Sequence, residues 1–167
     1  MKYVTYLFLL IGLNACSDLV LGNYYNKLDL YQLGTLKESS NFRGEDSLQK
    51  EKTLAAIRYE NTPKTLRKAS ALVRDLRYLG IKKISIPFNK FSQINEILFK
   101  QKGVKETNKA TKQTGYNDIL VFRRDARIVG VMKICFDCRQ HYTMGVEHQT
   151  RYFGESSDYE KLNKILQ

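Results

Sequence analysis

Residues 117–138, NDILVFRRDARIVGVMKICFDC, decide the fold class of this chain. Two runs within this stretch, residues 119–122 and 128–136, are rich in the β-branched and aromatic side chains that are typical of strands. The polar residues 123–127, RRDAR, separate the two runs and predict a hairpin turn, so the two strands are expected to pair antiparallel. Residues 140–154 can supply a third strand, which would complete a β-meander.

The second strand of this meander has a predicted face pattern. In a regular strand alternate side chains share a face, so Val131, Lys133 and Cys135 are expected on one side. The opposite side is expected to carry Ile128, Gly130, Met132, Ile134 and Phe136.

Segments with helical character lie before and after the β region. Their apolar residues recur at the spacing of an amphipathic helix, and a short strand is expected at residues 81–88, IKKISIPF. Helices before an antiparallel meander and one after it predict an α+β domain, with a small antiparallel sheet packed against three to four helices. The predicted helices lie within residues 45–60, 61–80, 89–103 and 155–167, and a strand through residues 53–60, TLAAIRYE, is an open alternative to the first of them.

The composition indicates a globular chain with a strong positive charge. Of the 167 residues 43% are hydrophobic, which suits a single domain with a packed core. The 28 Lys and Arg residues exceed the 17 Asp and Glu residues, for a net charge of +11. This charge favours an anionic partner such as an acidic protein, and a merely solvated lysine-rich surface is the plainer alternative. No nucleic-acid-binding motif accompanies the charge, so nucleic acid is not the expected partner. The candidate anion-binding residues are Lys100, Lys102, Lys105, Arg123, Arg124 and Arg127.

The N-terminus, MKYVTYLFLLIGLNAC, has the features of a secretory signal. Lys2 precedes a largely apolar run of ten residues, 4–13, whereas a membrane-spanning helix needs roughly 20. The end of the segment, Leu13-Asn14-Ala15-Cys16, resembles the lipobox of bacterial lipoproteins. The resemblance implies cleavage before Cys16 and acylation of that cysteine, including palmitate, so that the protein is anchored to a membrane without crossing it.

The lipoprotein resemblance also implies a domain division and a location. Residues 1–15 would be the signal peptide, residues 16–44 a lipid-anchored tether that is partly docked, and residues 45–167 the globular domain. Ser17 follows the cysteine where a retention aspartate would otherwise stand, which favours the outer membrane facing the periplasm. Such a compartment is oxidising, and this favours disulfide formation.

The stretch CFDCRQH, residues 135–141, admits four interpretations. A disulfide between Cys135 and Cys138 requires the strand to bend after Cys135, because three extended residues span about 10 Å. A redox site could use Arg139 or His141 to lower a thiol pKa. A zinc site could use Cys135, Cys138, His141 and His148, but an oxidising compartment works against the free thiolates that zinc needs, and no cofactor is expected. In the plainest case, the cysteines lie apart on a regular strand.

A second resemblance covers residues 118–140. The hairpin that runs into Cys-Phe-x-Cys is similar to a group of uncharacterised bacterial envelope proteins with a CFxC ending on a similar strand. The resemblance supports the predicted hairpin and implies no activity.

The motifs of common enzyme classes are absent from the sequence: there is no P-loop, no HExxH, no Ser-His-Asp order and no paired-carboxylate signature. The sequence therefore favours a non-enzymatic envelope lipoprotein that binds an acidic protein or another anionic envelope component, in an inhibitor- or immunity-type role or in envelope maintenance. The alternative is a thiol-disulfide or metal-binding protein that uses the cysteine and histidine cluster.

Overall fold

The computed structural model describes residues 24–35, 46–60, 63–100 and 115–167. The predicted signal peptide, the candidate lipidation site Cys16 and the lysines Lys102 and Lys105 lie outside these residues.

One antiparallel sheet of five strands forms the centre of the fold, with the order β2-β1-β3-β4-β5. Its last three strands form the predicted meander, which is confirmed. The first strand comes from the segment assigned to the tether, and it pairs with β2 on one side and β3 on the other. The strands are β1 (Lys27–Gln32), β2 (Lys83–Ser85), β3 (Asp118–Arg124), β4 (Arg127–Cys135) and β5 (Gln140–Met144).

Helices cover both faces of this sheet, so the predicted α+β class is confirmed. The first helix continues as a short π-helix, Ala56–Glu60. The second begins after Thr65, whose hydroxyl accepts a hydrogen bond from the Lys68 backbone amide, 3.3 Å away, and so caps the helix. The helices are α1 (Ser47–Ala55), α2 (Leu66–Tyr78), α3 (Phe91–Leu98) and α4 (Ser156–Leu166).

The sheet separates two hydrophobic cores because alternate side chains of its central strands point to opposite faces. α3 and α4 pack on the face that carries Leu30, Leu120, Phe122, Met132 and Ile134. α1 and α2 pack on the face that carries Tyr31, Ile119, Val121, Val131 and Met144. Both faces of the central strands are therefore buried.

A β-bulge near the start of β4 corrects the predicted face pattern. Phe122 pairs with Gly130 whereas Arg123 pairs with Ile128, so β4 has one extra residue, Val129, at this point. The bulge reverses the alternation, and Ile128 packs with the core beneath α2 rather than on the face of Met132. The prediction for Ile128 is therefore wrong, because it assumed a regular strand.

The two hairpin turns of β4 lie at opposite ends of the sheet. The β3–β4 turn is fastened by Asn26, whose side-chain amide bonds the carboxylate and the backbone amide of Asp125, both at 2.7 Å. We call this the arginine end, and we call the β4–β5 turn, residues 136–139, the cysteine end. Among the described residues, no helix combines the length and apolar character needed to cross a bilayer.

Candidate functional site

A cleft lined by arginines lies at the arginine end, between α2 and the β3–β4 turn. Its volume is about 520 Å³, and Val73 and Ile128 supply apolar lining. We call it the arginine groove and define it by five residues from two elements: Arg67, Arg74 and Arg77 from α2, and Arg123 and Arg127 from the hairpin.

The helical repeat of α2 explains why three of these arginines share one groove. Arg67 and Arg74 are two helical turns apart, and Arg77 lies almost one turn further on. The other side of the helix is apolar and packs on the sheet, which leaves the arginine side exposed to solvent. The buried residues of α2 are Ala69, Leu72, Val73 and Leu76.

Arg123 is the member of the groove that the protein itself fixes in place. Its Nε atom lies 2.9 Å from the carboxylate of Asp29, a side chain only 5% exposed. The same carboxylate accepts a hydrogen bond from Ser85 at 3.3 Å and lies 3.8 Å from the Lys83 ammonium. Because two cations share one carboxylate, Asp29 orients Arg123 without neutralising this part of the groove.

The guanidinium groups of the other four arginines are largely without carboxylate partners in the described structure. Within the described ranges, no carboxylate oxygen lies within 4.0 Å of the guanidinium groups of Arg67, Arg77 or Arg127. Arg74 lies 3.6 Å from its sequence neighbour Asp75, with a side chain that is 78% exposed. Exposed pairs of this kind are weak. The groove therefore presents a concentration of positive charge to solvent.

A second cavity extends the groove over the end of the sheet. Its volume is about 630 Å³, and it shares Arg77, Arg123 and Ala126 with the first cavity. Phe88 and Lys83 also line it, so this part combines apolar and cationic groups.

The predicted anion-binding residues have different locations. Arg123 and Arg127 lie in the groove, whereas Arg124 is exposed and does not line it.

The Lys100 ammonium lies 2.5 Å from the buried carboxylate of Asp158 and 3.4 Å from that of Glu155, and so connects α3 to α4. Lys102 and Lys105 lie outside the described residues. The α2 arginines were not among the candidates, although their helical spacing is visible in the sequence.

At the cysteine end, the sulfur atoms of Cys135 and Cys138 lie at disulfide-bonding distance. Their Cα atoms are 5.4 Å apart, within the usual range for a disulfide. The chain turns immediately after Cys135, and the Cys138 amide lies 3.2 Å from the Cys135 sulfur. The bend that a disulfide would require is therefore present.

The two histidines do not join this cysteine pair. His141 pairs with Ile134 across the sheet and faces α4, where its Nδ1 atom lies 2.7 Å from the Tyr159 hydroxyl. Burial there lowers the pKa of His141 to about 4. His148 is exposed in a turn beyond β5. In the part of the chain that the structure describes, no group of three or more His, Cys, Asp and Glu residues is arranged to hold a metal ion.

Lys133 is buried on the same strand as Cys135. Its ammonium lies 4.8 Å from the centre of the Tyr116 ring, which provides a cation–π contact. Burial lowers the pKa of Lys133 to about 8. Like His141, this titratable group near the cysteine end is enclosed by the protein's own side chains.

Comparison of the chain with protein-family models, curated proteins and solved structures finds no match. Its function must therefore be argued from its own residues and their geometry.

Proposed function

We propose that this protein is a lipid-anchored, non-enzymatic protein of the bacterial cell envelope that binds an acidic partner protein through the arginine groove. An inhibitor- or immunity-type role, or a role in envelope maintenance, would use this surface. The observation that carries the proposal is the convergence of five arginines, of which Arg67, Arg77 and Arg127 have no carboxylate within 4.0 Å in the described structure.

The chemistry of the groove favours carboxylates. A guanidinium group can form two parallel hydrogen bonds to one carboxylate, and such charge-assisted pairs are stronger than neutral hydrogen bonds. Clustered like charges repel one another, so an acidic ligand would relieve repulsion as well as form new contacts. Opposite charge would also accelerate the encounter with an acidic partner.

The dimensions of the groove favour a chain segment over a single small anion. Ten residues of helix separate Arg67 from Arg77, which corresponds to about 15 Å along α2. An extended segment of about five residues covers that length. Several carboxylates on one such segment could therefore reach different arginines together.

Binding of labelled hexaglutamate to the full-length protein in detergent, followed by fluorescence anisotropy at low salt, tests the proposal. We expect a triple charge reversal in the groove, Arg67→Glu with Arg77→Glu and Arg127→Glu, to weaken binding at least about tenfold. The matched control reverses three exposed lysines on α1 and α4: Lys52→Glu, Lys161→Glu and Lys164→Glu. The two triple variants are compared at about 0.1 M salt, where the Debye length is about 10 Å. Charges outside the groove are largely screened under these conditions, so the control should lose less than about threefold in affinity.

Two results would contradict the groove as the binding surface. Equal losses in the two triple variants would mean that hexaglutamate responds only to net charge. The absence of any binding by the wild-type protein at low salt would mean that the groove does not attract carboxylates.

The proposed anchor has a separate test. Mass spectrometry of the protein extracted from its native membrane should find an acylated Cys16 at the mature N-terminus. A retained Met1, or a chain that begins at an unmodified Ser17, would contradict lipid anchoring and would leave the groove proposal to its own test.

A further inference from the structure

Phe88 is an unusually exposed aromatic side chain next to the arginine groove. At 79% exposure it is the most exposed large hydrophobic residue in the described structure, ahead of Leu48 at 60%. Isolated exposed apolar residues are common on protein surfaces. The position of Phe88 distinguishes it, because it lines the cavity that shares Arg77 and Arg123 with the arginine groove.

The backbone around Phe88 is well supported. Phe88 begins a short 3₁₀ turn, Phe88–Lys90, that leads directly into α3. The Lys90 ammonium bonds the backbone carbonyl of Ile165 in α4, which ties the turn to the C-terminal helix. The backbone around Phe88 is therefore already ordered, and little backbone entropy would be lost on binding.

The Phe88 ring also rests on a buried aromatic cluster. Its centre lies 5.2 Å from the ring of Phe91, and Phe91 lies 5.1 Å from the ring of Tyr25. Rigid aromatic side chains next to cations are typical of the residues that contribute most to protein interfaces. An apolar side chain placed on Phe88 would lose water-exposed surface while the neighbouring arginines bind carboxylates.

On the basis of the acidic partner proposed above, we infer that the bound segment also carries a large apolar side chain. This side chain docks on Phe88. The partner is thus a protein segment in which carboxylates are followed or preceded by an aromatic or large aliphatic residue. The carboxylates lie along α2, and the apolar residue lies over the end of the sheet. The two parts of the site differ physically, because salt screens the first and hardly affects the second.

Three labelled and end-capped peptides test this inference on the full-length protein in detergent. They are hexaglutamate, hexaglutamate with Phe added at its amino end, and hexaglutamate with Phe added at its carboxyl end. We expect one of the two Phe peptides to bind about tenfold more tightly than hexaglutamate, which corresponds to a favourable aromatic contact. The gain should persist as the salt concentration is raised, while the affinity of all three peptides falls.

The variant Phe88→Ser should abolish this gain and leave hexaglutamate binding within about twofold of wild type. The matched control, Leu48→Ser, removes another exposed apolar side chain on α1 and should preserve the gain. Because both side chains are exposed, neither change should prevent folding, which circular dichroism can verify.

The peptide experiment distinguishes failure of the Phe88 inference from failure of the arginine-groove proposal. If hexaglutamate binds but neither Phe peptide gains affinity, or if the gain survives in Phe88→Ser, the inference is overturned and the arginine groove stands. If hexaglutamate does not bind, both proposals fall. If Phe88→Ser instead weakens attachment to phosphatidylglycerol vesicles, and the Phe peptides gain nothing, the aromatic surface serves lipid and the inference is overturned.

Discussion

One strand, β4, joins the cysteine end of the sheet to the arginine end. The polar groups contact one another at the cysteine end but face solvent at the arginine end. At the cysteine end the groups contact one another: Cys135 meets Cys138, and His141 meets Tyr159. At the arginine end the guanidinium groups line an open cleft. Reactive residue types that cluster in the sequence can therefore be used up in contacts with one another inside the folded protein. Charged residues that are far apart in the sequence can instead meet in one groove.

This difference predicts that the two ends respond differently to substitution. Groups that contact one another in the folded state contribute to the free energy of unfolding. Groups that face solvent contribute little to it and remain available for a ligand. The predictions below measure the free energy of unfolding at both ends, beginning with the largest expected change.

The change Asp158→Ala should destabilise the protein most, by about 3 to 5 kcal/mol. The Asp158 side chain is fully buried, and its carboxylate accepts hydrogen bonds from the backbone amides of Gly154 and Glu155 at 3.3 and 3.2 Å. It also meets the Lys100 ammonium, which would lose this partner. Urea unfolding measures the loss.

The matched control for this prediction is Glu160→Ala on the same helix. Glu160 pairs with Arg139 only at the surface, so we expect a change of less than about 0.5 kcal/mol. A loss below about 1 kcal/mol for Asp158→Ala would show that the buried Asp158 carboxylate is not structural.

Acid should destabilise the protein through His141, by at most about 3 kcal/mol. The pKa of this histidine is about 4 when folded, against 6.5 for its ordinary value, so the unfolded state binds more protons between these pH values. The contribution of His141 to the free energy of unfolding is complete above pH 6.5 and is lost as the pH falls toward 4. Burial raises the pKa of Asp118 to about 6, and this carboxyl partly offsets the loss because the folded state binds its proton more tightly.

Urea unfolding across this pH range separates the two groups. The acid-induced loss should be smaller in His141→Phe than in the wild type, and it should be steeper in Asp118→Asn. An unchanged pH dependence in His141→Phe would show that His141 is not the group responsible.

Replacing both Cys135 and Cys138 by alanine should cost about 2 kcal/mol, because closing so short a loop constrains the unfolded chain only modestly. Urea unfolding measures this change, and hexaglutamate binding provides the comparison with the arginine end. The affinity should stay within about twofold of wild type, since the pair lies at the opposite end of β4. A large loss of affinity with unchanged stability would assign a binding role to the cysteines and would break the contrast between the two ends.

Local patterns in the sequence predicted much of the fold. The β-meander follows from two β-rich runs around RRDAR, and the amphipathic segments gave the helices. The strand β1 was not predicted because KLDLYQ contains three charged or amide residues, and its place between β2 and β3 depends on distant partners. The bulge at Val129 also escaped prediction, since it arises from strand pairing and not from the residues of β4 alone.

The candidate site was predicted only in part, for the same reason. Arg123 and Arg127 were among the candidate anion-binding residues, and the basic side of α2 is visible in its helical spacing. That these two groups meet depends on the packing of α2 against the sheet, across about fifty residues of chain. The sequence also shows the charge of Lys100 but not its partner Asp158, which lies on another helix.

The smallest change in stability is expected from Arg127→Ala, within about 0.5 kcal/mol of the wild type in urea unfolding. Arg127 is exposed and has no carboxylate within 4.0 Å in the described structure, so its removal leaves no buried charge without a partner. The companion change Arg123→Ala should cost more, about 1 to 3 kcal/mol, because it leaves the buried Asp29 carboxylate without its closest cation. If Arg127→Ala proved as damaging as Arg123→Ala, Arg127 would have a structural partner, and the arginine end would be closed in the same way as the cysteine end.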